Sequence, residues 1–264
     1  LRKQTSQEQH QVVKLWQERE QSLAFDFKQP LWKITLHILA DDEFYFHLTF
    51  HHALWDGWSV ANLNTELFQL YLTRLSGEAA ELPPPPLPYA YYVAQEQKAL
   101  NSQRDRDFWK DTLSACHLPW WAGTKKQSSI TESFILSSAK SSQLFELARS
   151  LQVQEKSLLL TIHLVLMRML SGESDVVTSV VMNARPEAEG SDRTLGLFLN
   201  SLPLRVNLDT GSWQELIEKV EQASERLISH RNFPLAEIQA ITGQDYSASL
   251  FNYVDFHVYQ DVEG

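Results

Sequence analysis

The stretch Glu43–Ser59 (EFYFHLTFHHALWDGWS) constrains this chain more than any other. Phe44, Phe46, Leu48 and Phe50 alternate with Tyr45, His47, Thr49 and His51, a period of two that predicts a strand with one strongly apolar face. His51 and His52 close that strand, Asp56 and Gly57 follow, and a helical pattern begins near Ser59. An imidazole at a strand end, followed by a short turn with an acid and a glycine, suits acid–base chemistry. The strand fixes the backbone and the turn exposes the ring. A structural role for a histidine pair on a half-buried strand competes with this reading. Zinc does not fit well, because adjacent strand residues point to opposite faces. Neither HExxH nor a Cys cluster is present, so no metal is expected.

The neighbouring segments arrange themselves around this stretch. Ser6–Leu23 is polar with scattered apolar positions and predicts an exposed helix. Phe25–Leu31 interrupts it, with Pro30 as punctuation. Trp32–Leu39 alternates and Ala40–Glu43 is a polar turn, so the two strands should form a hairpin. Ser59 is a fair N-cap for a helix whose apolar positions Val60, Leu63, Leu67, Leu70, Tyr71 and Leu75 recur at three and four, ending at Gly77. Leu82–Pro88 (LPPPPLP) is stiff and extended, a spacer rather than an SH3-type ligand. Tyr89–Leu113 is helical. Trp120–Gly123 and Thr124–Ser129 form a loop, and the first lobe is placed at 1–126.

In the second lobe, 127–264, Ile130–Leu136 is expected as a strand and Ser141–Leu151 as a short helix. Ser157–Leu170 is apolar nearly all round, which predicts a buried helix too short to span a bilayer. His163 inside it is expected to be a hydrogen-bonded core residue. Asp175–Met182 is β-branched and predicts a central strand. Leu195–Leu208 is strand-like with irregularities at Gly196 and Pro203. Ser212–His230 is helical, with Trp213, Leu216, Ile217, Val220, Leu227 and Ile228 on one face. Pro234–Ile241 is a short helix and Ser249–Val258 a last strand. Strands and helices interleave in a mixed α/β pattern, with no solenoid period.

Composition narrows the function. The 264 residues are 43% hydrophobic, ordinary for a globular chain of one large domain or two lobes. A net charge of −10 argues against a general nucleic-acid binder. One cysteine, Cys116, excludes an internal disulfide framework and fits a reducing, cytoplasmic setting. No run reaches membrane-spanning length and no signal peptide is visible. Neither GxGxxG, GxxxxGK[ST] nor GxSxG occurs.

His51-His52-Ala53-Leu54-Trp55-Asp56-Gly57 fits HHxxxDG, and by it the chain resembles the condensation domains of nonribosomal peptide synthetases. Further stretches follow in the family's order. Phe25–Leu31 resembles its FDL…PL segment and Tyr89–Val93 its aromatic motif. Asn183–Pro186 resembles the segment ending Gly-Arg-Pro, with Ala184 for Gly. Leu195–Arg205 (LGLFLNSLPLR) resembles GxFVNT…R, with Ser201 for Thr. His230–Pro234 is similar to HQDxPF, and Ser249–Val258 to the late strand with its FNY core. The likeness covers nearly the whole chain. The chain opens on Leu1, and the family's first motifs and C-terminal end find no counterpart, so the middle of such a domain is expected.

The resemblance implies two chloramphenicol-acetyltransferase-like α/β lobes in a V, with a tunnel between them. It implies amide formation between an acyl or peptidyl thioester donor and an amine acceptor. Both would ride on phosphopantetheine arms of upstream and downstream carrier proteins, with an adenylation domain in the same assembly line and no directly bound cofactor, nucleic acid or membrane. Within the motif His51, His52, Asp56 and Gly57 are site residues. His52 is the general base or amine-positioning group, and His51 forms the wall. Asp56 pairs with Arg185, and Gly57 gives close backbone approach or a positive φ. Trp55, Trp58, Asn200 and Asn252 are candidates for the tunnel lining. An ester-forming or trans-acting acyltransferase and a non-catalytic carrier-docking module are the alternatives.

Overall fold

The computed structural model describes residues 1–79, 81–85, 87–123, 130–209 and 211–254. They fall into two compact units, dividing at Leu82–Pro83, with Leu195–Leu197 counted in the first.

In the first unit, α1 spans Ser6–Gln21, opened by a capping box between Thr5 and Glu8. Strands β1 (Trp32–Ile38) and β2 (Phe44–Phe50) pair antiparallel, with Ile34 opposite Leu48 and Leu36 opposite Phe46. The expected hairpin is present. A two-stranded ribbon is marginal alone in water and needs a hydrophobic partner. Helices supply it on both faces. On the face of Phe44 and Phe46, α2 (Gly57–Leu75) brings Tyr71 and Phe68, ring centroids 5.9 and 5.6 Å away. On the other face, Trp16 of α1 sits 4.9 Å from the His37 ring and 4.6 Å from that of His47. Burial and the nearby His37 hold the His47 imidazole below its ordinary range. Glu20 pairs with Lys33, and Gln9 Nε2 donates to Leu39 O at 3.1 Å, tying α1 to β1 and its turn.

The second unit begins with α3 (Tyr89–Leu100) and α4 (Gln103–Thr112), two helices where one region was expected. The break falls at Asn101–Ser102 because Ser102 caps the second helix, its hydroxyl accepting from Asp105 N–H. Then come α5 (Ser138–Ser150), α6 (Glu155–Ser171), β3 (Asp175–Asn183), β4 (Leu199–Asn207), α7 (Trp213–Ile228), α8 (Leu235–Thr242) and the short β5 (Leu250–Phe251). The sheet order is β4-β3-β5, with β3 antiparallel to β4 and parallel to β5. The Asp175–Met182 stretch is thus central, as its β-branched run implied.

The core of this unit joins Trp109 and Leu113 at the end of α4 to Leu160 and Leu164 of α6, Val180, Leu202, Val220, Phe233 and Ile238. Trp109, Leu113 and the partly buried Ala99 and Phe108 thus pack α3 and α4 on the same core as the C-terminal elements. Arg205 explains part of the attachment. Its Nε and Nη2 donate to Asp175 at 2.9 and 2.7 Å, and its Nη1 donates to the carbonyls of Thr112 and Ser114. A bidentate fork to a carboxylate fixes orientation as well as distance.

Several sequence expectations change here. Among the described residues Ile130–Leu136 belongs to no strand ladder, and Ile135 is 91% exposed. Its β-branched and aromatic content suits a strand, but a strand exists only where a partner completes its hydrogen bonds. Helix α6 is not buried all round: Ile162, Leu166, Met169 and Leu170 are exposed, while Leu160 and Leu164 face the core. Trp213 and Ile228 of α7 are likewise exposed. Of Ser249–Val258, strand β5 takes only Leu250–Phe251 among the described residues, and 255–258 lie outside them, as does the stretch 124–129.

His163 is half-buried rather than a full core residue, and it is hydrogen-bonded, its Nε2 within 2.9 Å of Thr178 Oγ1 and 3.2 Å of Ser249 Oγ. Burial keeps its pKa below the ordinary imidazole value. The unfolded chain then takes up the proton first, so stability present at neutral pH is lost as pH falls below about 6.5 and onward through the folded pKa. In thermal melts at pH 7 and pH 5.5, the wild-type drop in Tm should exceed that of His163→Gln; equal drops would assign the acid sensitivity elsewhere.

Candidate functional site

Chain geometry around the two histidines is set at both ends. Strand β2 ends at Phe50, and His51 N–H donates to Leu31 O at 2.8 Å, extending the hairpin by one bond. The turn follows at once: Leu54 N–H donates to His51 O at 3.0 Å. Ala53 N–H donates to His51 Nδ1 at 3.1 Å, which leaves Nε2 to carry the proton of the neutral ring. The edges of Phe25 and Phe27 approach that ring, at centroid distances of 5.7 and 5.1 Å. His51 is thus half-buried beside the FDF segment and engaged by the turn it opens. His52 is exposed, its ring 6.4 Å from that of Phe50. Of the two imidazoles, the second is the more exposed.

Asp56, 2% exposed, is the N-cap of α2. Its Oδ1 accepts from Ser59 N–H at 2.8 Å, satisfying one of the unpaired donors at the helix start. The helix therefore begins at Gly57, and the expected cap at Ser59 moves upstream. Ser59 sits in the first turn, 0% exposed. Its Oγ donates to Gly196 O at 2.8 Å and accepts from Gly196 N–H at 3.1 Å, while Asp56 N–H also donates to Gly196 O at 3.0 Å. Gly57 is the first residue of α2 and is absent from the glycines with positive φ, so that part of its expected role is set aside. Trp55 packs against Phe50 (5.5 Å) and Trp32 (6.3 Å), a hydrophobic contact on the hairpin. Trp58 is half-buried on the first turn of α2.

Arg185, Asn200 and Asn252 belong to the second unit. Arg185 is buried; its Nη1 donates to Ser191 O and Thr194 O at 2.7 and 2.6 Å, and its guanidinium carbon lies 3.9 Å over the Phe198 ring. Tyr89 and Tyr92 press their rings on the same Phe198, at 5.2 and 5.1 Å. Three stretches that were separate motifs in the sequence, Tyr89–Val93, Asn183–Pro186 and Leu195–Arg205, thus meet at one phenylalanine. Asn200 holds a fourth: its amide donates to Arg231 O and Phe233 O at 2.9 and 2.8 Å, within His230–Pro234. Those bonds commit both amide hydrogens of Asn200 to shaping that loop rather than to a ligand. His230 itself is stacked on Phe108 at 3.7 Å and engages Asp105 through Nδ1. Asn252 is exposed just beyond β5.

The residues the sequence reading passed over are Ser59 as a tertiary anchor and Gly196 as its partner. Both lay inside stretches already singled out. A short polar side chain three residues after Asp56 resembles a cap, and only the fold brings Gly196 to it. Among the described residues no group of three or more His, Cys, Asp or Glu could hold a metal ion, and no helix is long and apolar enough to cross a membrane.

The family model described as Condensation domain matches residues 1–262. AMB antimetabolite synthetase AmbE of Pseudomonas aeruginosa is 33% identical over 255 residues, covering 93% of this chain and 12% of AmbE. Tyrocidine synthase 2 of Brevibacillus parabrevis is 29% identical over 236 residues, covering 84% of this chain and 6% of that synthase. The chain therefore spans a small part of such relatives. The first condensation domain of the calcium-dependent antibiotic synthetase, solved with a substrate analogue, superposes with a TM-score of 0.76 at 21% identity, over 94% of this chain and 59% of that one. At that identity the likeness speaks for the fold, a chloramphenicol-acetyltransferase-like α/β architecture. With the HHxxxDG turn in place and the family model matching nearly end to end, the chain belongs to the condensation domain family.

Proposed function

We propose that this domain forms amide bonds in nonribosomal peptide synthesis, joining a donor thioester on an upstream carrier protein to the amine of an acceptor on a downstream one. Both substrates would arrive on phosphopantetheine arms, within an assembly line that also carries an adenylation domain. The observation that supports this most directly is an exposed His52 on a turn pinned at both ends, inside an intact HHxxxDG motif.

The chemistry asks little of a base and much of a positioner. The acceptor nitrogen attacks the thioester carbonyl, the new C–N bond forms, and the C–S bond breaks. The nitrogen gives up a proton, and the departing thiolate gains one. An α-amine has a pKa of about 8, so a usable fraction is neutral at pH 7. His52 in its neutral form accepts a hydrogen bond from that amine, aims its lone pair, and takes the proton as positive charge develops. General acid–base groups contribute roughly 10²–10⁴-fold, and a partly neutral amine puts this case at the lower end.

Measured as amide product from two loaded carrier proteins, His52→Ala should therefore slow the parent synthetase by about a hundredfold. Equal rates would remove His52 from the mechanism. Carriers that bind without product from either protein would instead favour a recruitment module. Product from an alcohol acceptor alone would favour an ester-forming domain.

We further propose that Asp56 pairs with Arg185, which the family resemblance implies. Each is buried, and a buried carboxylate or guanidinium left without its partner is strongly unfavourable. Asp56→Ala or Arg185→Ala should each destabilise the domain by about 3–5 kcal/mol, and the double variant by clearly less than their sum. Asp56→Asn keeps the cap on Ser59 and isolates the charge. Strictly additive losses in denaturant unfolding would leave the two residues energetically unconnected.

A further inference from the structure

Gly196 has both of its backbone polar groups taken by the first turn of α2. Its carbonyl receives Asp56 N–H at 3.0 Å and Ser59 Oγ at 2.8 Å, and its N–H donates to that same Oγ at 3.1 Å. The bonds are sheltered: Ser59 is 0% exposed and Asp56 2%. One hydroxyl thus acts as donor and acceptor to a single residue far away in sequence, a geometry that a serine satisfies with one rotor and an alanine not at all. Asp56 Oδ1 on Ser59 N–H adds an internal brace to the same turn.

This clamp bears on His52 through the chain. The upstream end of the connection is secured by His51, through Leu31 O, Leu54 N–H and Ala53 N–H. The downstream end is Asp56, and its N–H and the α2 turn behind it are secured on Gly196. His52 lies between two fixed points only a few residues apart, so its ring position depends on both. Ser59 touches no reacting atom in this arrangement, and it sets the second point.

We infer that Ser59 is a positioning residue for the reaction at His52, holding the helix start against Gly196 so that the imidazole meets the acceptor amine at the right distance. The inference rests on the amide-forming reading above. Misplacement of a reacting group by about 1 Å costs about a hundredfold in rate, and partial loosening of one anchor costs less. Substrate binding at sites away from the turn would be unaffected.

The test is steady-state amide formation in the parent synthetase, with rates referred to the folded fraction measured by near-ultraviolet circular dichroism. Ser59→Ala should lower kcat by about tenfold and leave KM for the acceptor carrier within about twofold. Ser59→Thr, which keeps the hydroxyl, should recover most of that loss. Hydrogen exchange at the Gly196 amide should quicken in Ser59→Ala alone. An unchanged kcat per folded molecule in Ser59→Ala would overturn the role while leaving His52 in place. So would a loss shared equally by Ser59→Ala and a folded Ser59→Thr. A wild-type domain that forms no amide while its Gly196 exchange still responds to Ser59→Ala would overturn the reaction reading, and the positioning role with it.

Discussion

The first turn of α2 anchors the HHxxxDG turn that precedes it. A helix start leaves backbone N–H groups without partners inside the helix, and each must be met when that start is buried. Here Asp56 meets one of them with its carboxylate, and Ser59 turns its hydroxyl outward to Gly196. The outcome is that a single helix terminus performs two tasks. It stops the helix at Gly57, which leaves the preceding turn to the histidines, and it binds the remote segment Leu195–Leu197 into the same compact unit. The two-stranded ribbon that feeds the turn is held by helices on both faces, because such a ribbon has too little buried surface to stand alone.

The second unit solves a different problem with similar means. Its central strand β3 is buried on both sides and flanked by one antiparallel and one parallel neighbour. Arg205 ties the strand pair to the end of α4 through a carboxylate and two carbonyls. Phe198 gathers Tyr89, Tyr92 and the Arg185 guanidinium. Aromatic and cationic groups that stand apart in the chain as separate motifs are, in space, one packed cluster. Asn200 joins a further motif to this group, its amide N–H groups donating to Arg231 O and Phe233 O.

What could be read without coordinates follows from local physics. Alternation in Phe44–Phe50 specified a strand, the polar Ala40–Glu43 turn specified a hairpin, and the apolar period in Ser212–His230 specified α7. The exposed His52 could be anticipated because a turn after a strand end presents its side chains. Partner-dependent features were not legible. Ile130–Leu136 has the composition of a strand and pairs with nothing among the described residues. The apolar surface of α6 does not say which half meets the sheet, and Met169 at 76% exposed is on the half that does not.

By itself the sequence determined the hairpin, most of the helices, the HHxxxDG turn and the family, because these depend on periodicity and short spacings within one segment. The tertiary structure alone decided that Ser59 is joined to Gly196, that Arg205 meets the Asp175 carboxylate, and that the end of α4 shares its core with the C-terminal elements. The reason is the same in each case. A hydroxyl, a carboxylate or an apolar face has several possible partners in the sequence, and only the fold brings one of them within hydrogen-bonding or van der Waals distance.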